Sequence, residues 1–208
     1  MKSNKRGRTT KDRAATYLEL GRHYLHEGDY ELAINALTKA IEISPQNAQA
    51  FDLRGIAHGH RFEYDEVLAD FQEAIRLDSS CAGFYNNLAL TYYKLSRFEE
   101  AIDNYDLAIS LPPDIALFYA NRGLAFYHLG EYAYAISDYN VAIELDPADS
   151  ETYSNRGEAY AELGEYKKAL ADFDHALALN PANIDAYADR ALLLTLWEET
   201  SGRGTKSG

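Results

Sequence analysis

Cysteine is almost missing from this chain. Cys81 stands alone in 208 residues, so no internal disulfide can form and a disulfide-stapled scaffold is excluded. Long apolar runs are missing too. The best candidate, Ala191 to Trp197, is interrupted by Thr195 and falls far short of the roughly 18 residues of a membrane span. There is no Asn-x-Ser/Thr sequon. The basic N-terminal stretch leads into no apolar segment, so no secretory signal is read. These absences fit a cytoplasmic protein. Disorder is excluded by composition, because 47% of the residues are hydrophobic and 25% charged, the balance of a soluble globular chain.

Charge is unevenly spread. Lys2, Lys5, Arg6, Arg8, Lys11 and Arg13 face only Asp12 in residues 1–13, and Arg203 and Lys206 are unopposed in 200–208. With −13 overall, residues 14–199 therefore carry −20. Such a body repels nucleic acid and anionic membrane and steers basic partners toward itself. Residues 1–13 and 200–208 are expected to be disordered tails.

Internal periodicity organises everything between them. In rows of 34 residues starting at Ala14, one column reads Tyr17, Phe51, Tyr85, Tyr119, Tyr153, Tyr187. Four residues on comes Gly21, Gly55, Ala89, Gly123, Gly157, Ala191, then Tyr24, His58, Tyr92, Phe126, Tyr160, Leu194. Aromatic, small, aromatic at one-turn spacing is one face of a helix. The second half of each row gives Ala33, Val67, Ala101, Ala135, Ala169, then Leu37, Phe71, Tyr105, Tyr139, Phe173, then Ala40, Ala74, Ala108, Ala142, Ala176. This is a second helix whose small residues admit a close neighbour. Gly28, Gly130 and Gly164 separate the two helices at a position that tolerates φ > 0; Phe62 and Ser96 take that place in rows two and three. Pro45, Ser79, Pro113, Pro147 and Pro181 close the rows. Each row is a helix–turn–helix.

These columns resemble the tetratricopeptide repeat, whose 34-residue unit runs aromatic, Leu-Gly, Tyr, Ala, Phe and terminal Pro. The resemblance covers residues 14–183 as five units (14–47, 48–81, 82–115, 116–149, 150–183), about four fifths of the chain. Ser79, His58 and Val67 depart from the pattern in row two. The resemblance implies an all-α fold, a right-handed α-solenoid of helix–turn–helix repeats. Residues 184–199 read as a capping helix, with Leu192, Leu193, Leu194, Leu196 and Trp197 covering the last open face.

Two further columns vary together. Arg54, Arg122 and Arg156 are each matched sixteen residues later by Asp70, Asp138 and Asp172, whereas Leu20 and Leu88 are matched by Ala36 and Asn104. An ion pair between the helices of one repeat explains this better than a row of arginines gripping an acidic ligand. The 17 tyrosines mostly occupy core columns, so they read as packing and not as a platform for bases.

In the family that the chain resembles, the first helix of each unit lines a concave groove that holds a peptide. Carried over, the groove candidates include Arg22, Leu90, Tyr93, Leu124 and Tyr127, with Glu151, Glu158 and Glu162 making the last row acidic. Asn87, Asn121 and Asn155 form a ladder of amides, which can donate to and accept from a peptide backbone or bond between helices. His26, His60, Lys94 and His128 form a stripe that ends at Glu162. First helices about 10 Å apart place these histidines too far apart to share a metal at about 2.1 Å. As one basic edge, the stripe suits an acidic or C-terminal carboxylate segment. Some family members clamp such a carboxylate with Lys, Asn, Asn, Lys and Arg. The matching positions here, Leu18, Arg22, Leu53, Gly83 and Asn87, and those one or two rows on, match at most once in five, so that clamp is absent.

No paired carboxylates, metal-spaced cluster or phosphate loop stands out, so neither catalysis nor a cofactor is expected. The chain reads as a non-enzymatic scaffold for a protein or peptide partner. Two alternatives are a recruiting module of a larger enzyme or membrane-associated assembly, and nucleic-acid association through residues 1–13, which would be steeply salt-dependent.

Overall fold

Two helices form within each 34-residue period. The computed structural model describes residues 10–203, with side chains as far as Trp197. The helices are α1 (Thr10–Glu27), α2 (Tyr30–Ile43), α3 (Ala48–His60), α4 (Tyr64–Leu77), α5 (Ala82–Lys94), α6 (Phe98–Ile109), α7 (Ala116–His128), α8 (Tyr132–Leu145), α9 (Ser150–Glu162), α10 (Tyr166–Leu179) and α11 (Ile184–Arg203). No strand occurs among the described residues. The chain divides into two units, one holding α1–α5 and the other α6–α11.

In the first unit each helix packs on the next, and the first helices of successive hairpins touch as well, α1 with α3 and α3 with α5. The second unit repeats this from α6 to α11, with α7 touching α9 and α9 touching α11. Contact only between neighbours is the packing of an α-solenoid, and the fold class is the one expected.

The hairpins close at the glycine column. A methyl group on Gly123 would lie 2.8 Å from Tyr139 Cε1 and 3.2 Å from the Ala135 carbonyl oxygen. At Gly157 the obstacle is Phe173 at 2.9 Å, and at Gly55 it is Phe71 at 2.8 Å. Tyr139, Phe173 and Phe71 are buried, so the edge atoms of each ring occupy the space that a side chain would need there. The Ala columns of the second helices, Ala33, Ala74, Ala142 and Ala176 among them, are buried as well.

Turn and cap chemistry set the hairpin ends. Gly28, Gly130 and Gly164 have φ of 72–79°, and Phe62 and Ser96 take the same left-handed conformation at 61° and 57°. In each turn the next backbone N–H reaches back five residues to a carbonyl, as Glu131 does to Phe126 and Glu63 to His58, satisfying groups that the helix end leaves open. Asn47, Asp149 and Asn183 cap α3, α9 and α11, accepting from the Ala50, Glu151 and Ala186 backbone N–H groups. In row two, where Ser79 replaces proline, Asp78 accepts from the backbone and hydroxyl of Ser80. His58 bonds Glu63 at 2.6 Å, and Val67 is buried, so that hairpin closes despite its departures.

The expected Arg–Asp pairs are present and two-pronged. Arg156 donates from Nε and Nη2 to the two oxygens of Asp172 at 2.8 and 2.7 Å. Arg54 does the same to Asp70, and Arg122 to Asp138. Each guanidinium has a further partner sixteen residues earlier, on the second helix of the preceding hairpin: Thr38 for Arg54, Asp106 for Arg122 and Asn140 for Arg156. Arg190 on α11, which has no following helix among the described residues, keeps this backward bond alone, to Asp174 at 2.6 Å. The pairs raise the affinity of Arg122 and Arg156 for their protons, chiefly through the bonds to Asp138 and Asp172.

Both ends depart from expectation. Helix α1 takes in residues 10–13 and α11 takes in residues 200–203, which read as tail in the sequence. Asp12 lies in the first turn of α1, at the positive end of its dipole, and no proline follows Glu199 to stop α11. Residues 1–9 and 204–208, the rest of the expected tails, lie outside the described residues. On α11 only one face meets the preceding hairpin: Ala186 and Leu193 are buried against Ala176 and Phe173. Leu192 and Leu196, expected in the cap, are 60% and 45% exposed, because they project from the face that carries Asp189.

Two consequences are open to measurement. Gly123→Ala gains about 1 kcal/mol of helix propensity, but the overlap with Tyr139 and with backbone outweighs it, for a net loss of about 1–3 kcal/mol in chemical denaturation. Asp172→Ala strands Arg156 beside a neutral Asn140 and should cost about 3 kcal/mol. Asp138→Ala should cost less, because Asp106 remains, and the double change Arg156→Met with Asp172→Leu should also cost less than Asp172→Ala. Equal losses would count against the pairing.

Candidate functional site

First helices are the groove-lining elements that the resemblance implies, and each unit has a cleft along them. In the first unit a cavity of about 280 Å³ lies between α3, the start of α4, and α5. Ile56, Val67, Phe71 and Leu90 supply its apolar surface, and His60 and Lys94 its basic edge. It thus unites four of the expected residues, His60, Asn87, Leu90 and Lys94. Asn87 is not open for a peptide backbone on all sides, since its amide donates to Asp52 on α3 at 2.8 Å. Burial raises the Asp52 carboxyl, against the lowering influence of Asn87 and of Arg22 on α1. Arg22, Asp52 and Asn87 are therefore one polar chain across three first helices, and the Arg22 guanidinium also lies 3.6 Å from Glu19.

The second unit carries a cleft of opposite charge. About 420 Å³ is enclosed by Tyr127, Glu158, Ala161, Glu162, Tyr166, Phe173, Asp189, Leu192, Leu193 and Leu196. Of the expected groove residues Tyr127, Glu158 and Glu162 are among these. The Tyr127 hydroxyl donates to Glu158, and burial, then Asp189 and Asp185, pushes the Glu158 carboxyl up to about 7. The Tyr127 hydroxyl is itself pushed up to about 12, by burial first and then by Glu158 and Glu162. Burial likewise raises the Asp189 carboxyl, reinforced by Asp185.

The remaining candidates are dispersed. His26 is exposed in the last turn of α1, Tyr93 is half-buried on α5, and Asn121, Leu124 and Asn155 are half-buried on α7 and α9. The histidine stripe has an anchor that the sequence reading overlooked. His60 stacks on Tyr30 with ring centroids 4.3 Å apart, and His128 stacks on Phe98 at 5.1 Å. The signal was available: Tyr30, Tyr64, Phe98, Tyr132 and Tyr166 recur every 34 residues at the first position of a second helix. Among the described residues, no group of three His, Cys, Asp or Glu side chains is placed to hold a metal ion, and no helix is long and apolar enough to cross a membrane.

Comparison with known proteins agrees with this architecture. A TPR repeat model matches residues 21–59, 91–130 and 123–164, and a tetratricopeptide repeat model matches 150–183. The chain belongs to the tetratricopeptide repeat family. A stretch of 71 residues is 39% identical to small glutamine-rich tetratricopeptide repeat-containing protein 2 of Saccharomyces cerevisiae, covering 34% of this chain and 20% of the yeast protein. The chain thus matches only about a fifth of that relative's length. Among solved structures it is similar to pilF of Pseudomonas aeruginosa, 20% identical with a TM-score of 0.77 over 96% of this chain and 95% of that one. It is also similar to YrrB, a TPR protein with an unusual peptide-binding site, 22% identical with a TM-score of 0.73 over 86% and 92%. At such identities these two structures speak for the fold alone.

Glu158 has a consequence for stability. Its folded-state pKa lies above the ordinary 4.5, so the fold favours the neutral carboxyl. The stability it contributes is complete below about pH 4.5 and is lost as the pH rises through about 7. Glu158→Gln should therefore gain in Tm relative to the parent between pH 5 and pH 8. A Tm difference that stays constant across that range would refute the assignment.

Proposed function

We propose that the chain is a non-enzymatic scaffold that holds a peptide or partner protein along its first helices. In this reading residues 14–183 form five repeats, 184–199 cap them, and the protein acts in the cytoplasm. The observation that carries the reading is the pair of clefts, each combining apolar and charged side chains, built from first helices and from the second helices packed on them. YrrB, a fold neighbour, has a peptide-binding site, and family membership makes protein–protein interaction the natural use of such surfaces. The basic edge of the first cleft, His60 and Lys94, suits an acidic or carboxylate-terminated segment.

A second reading keeps the same clefts but makes the chain the recruiting module of a larger enzyme or membrane-associated assembly. It is favoured by the curated yeast relative, of which the match covers only 20%. Nucleic-acid association through residues 1–13 is the weaker reading, since residues 14–199 carry −20.

The test is a selection of random dodecamer peptides against the intact chain. Binders should lose at least tenfold in affinity on Leu90→Ser with Lys94→Glu, and circular dichroism should show the variant still folded. Binders indifferent to this change and to changes at Tyr127 and Leu124 would overturn the groove reading.

A further inference from the structure

The cleft of the second unit has its own chemistry. Its lining is part apolar and part acidic, and it is partly open: Leu192 and Leu196 are exposed on α11, and Tyr127, Tyr166 and Phe173 line the same cleft. An exposed pair of leucines beside aromatic rings is surface that a partner would cover. Charge selects the partner. Glu158 and Glu162 on α9 and Asp189 on α11 line the cleft, with Asp185 one turn away, and no lysine, arginine or histidine is among the lining residues. These carboxylates are part of a body that carries −20.

We propose that this cleft receives a lysine or arginine side chain from an amphipathic partner segment, whose neighbouring apolar residues lie on Leu192 and Leu196. The inference rests on the scaffold reading above and assigns the partner class for one of its two clefts. A cation entering between Glu158, Glu162 and Asp189 relieves their mutual repulsion, which is strongest where burial excludes water. Its aliphatic stem is matched to the walls of Tyr127 and Leu193, since long cationic side chains bury the stem and keep the head polar. An acidic segment, by contrast, would meet like charge on α9 and on α11. The two clefts are therefore selective for opposite ends of the charge scale, and the Glu158–Asp189 side discriminates against the partner that the His60–Lys94 side favours.

The experiment uses three fluorescein-labelled, end-blocked peptides patterned as one amphipathic helix, alike in their leucines and carrying lysine, glutamine or glutamate on the polar face. Fluorescence anisotropy with the intact chain at pH 8 and moderate salt should show the lysine peptide bound at least tenfold more tightly than the glutamine peptide. Glu158→Gln with Asp189→Asn should weaken the lysine peptide at least fivefold, and so should Leu192→Ser with Leu196→Ser. The control, Asp103→Asn with Glu144→Gln, removes equal charge from the exposed faces of α6 and α8 and should change affinity less than twofold. Equal losses in control and cleft variants would show bulk attraction and overturn the proposal, as would equal binding of the lysine and glutamine peptides. Binding of the glutamate peptide alone, lost on Lys94→Glu, would overturn it while leaving the scaffold reading intact. Failure of all three peptides, together with failure of the dodecamer selection, would remove both.

Discussion

The closeness of the two helices in a hairpin governs the rest of this molecule. A bulky second-helix residue, Phe71, Tyr139 or Phe173, lies against a first helix that has no side chain there, at Gly55, Gly123 or Gly157. That contact fixes how far apart the helices sit, and the distance brings a first-helix arginine within reach of the second-helix carboxylate. The clefts open beside this same contact: Phe71 lines the first together with Asn87 and Leu90, and Phe173 lines the second together with Tyr127 and Glu158.

Most of the architecture was legible because it is written five times. A position that repeats every 34 residues averages out the accidents of any one row, and the pairing of Arg54, Arg122 and Arg156 with Asp70, Asp138 and Asp172 was readable as covariation within one chain. The backward bond of each arginine was not. Its acceptors, Thr38, Asp106, Asn140 and Asp174, share only an oxygen, so no residue type marks the column. The turns illustrate a different limit. The glycine column predicts left-handed backbone, yet Phe62 and Ser96 adopt it too, because closing the hairpin determines the conformation and the residue merely tolerates it.

The candidate site was less legible than the fold for a physical reason. Repetition specifies packing, but specificity resides in what differs between rows, and a difference has no second copy to confirm it. His60 and Lys94 were recognised as basic, while the aromatic rings under His60 and His128 went unnoticed. The acidic cleft depends on α11, where Ile184 to Trp197 offers apolar residues on several faces. Only the packing of Ala186 and Leu193 against the preceding hairpin reveals which face remains outside. Glu158 itself was visible as a charge, but its shift toward neutrality arises first from burial and then from Asp189 and Asp185 on another helix.

The arginines bear on how such a chain can change its length. Each guanidinium answers to a partner sixteen residues ahead and to another sixteen residues behind. Duplicating or excising one whole period preserves both offsets, because every new neighbour arrives with its oxygen in register. An insertion of any other size within a hairpin would break one offset and leave a half-buried cation short of a partner. The bonds that knit adjacent hairpins thus act as a ruler, permitting gene-level growth and loss in whole repeats and penalising everything between.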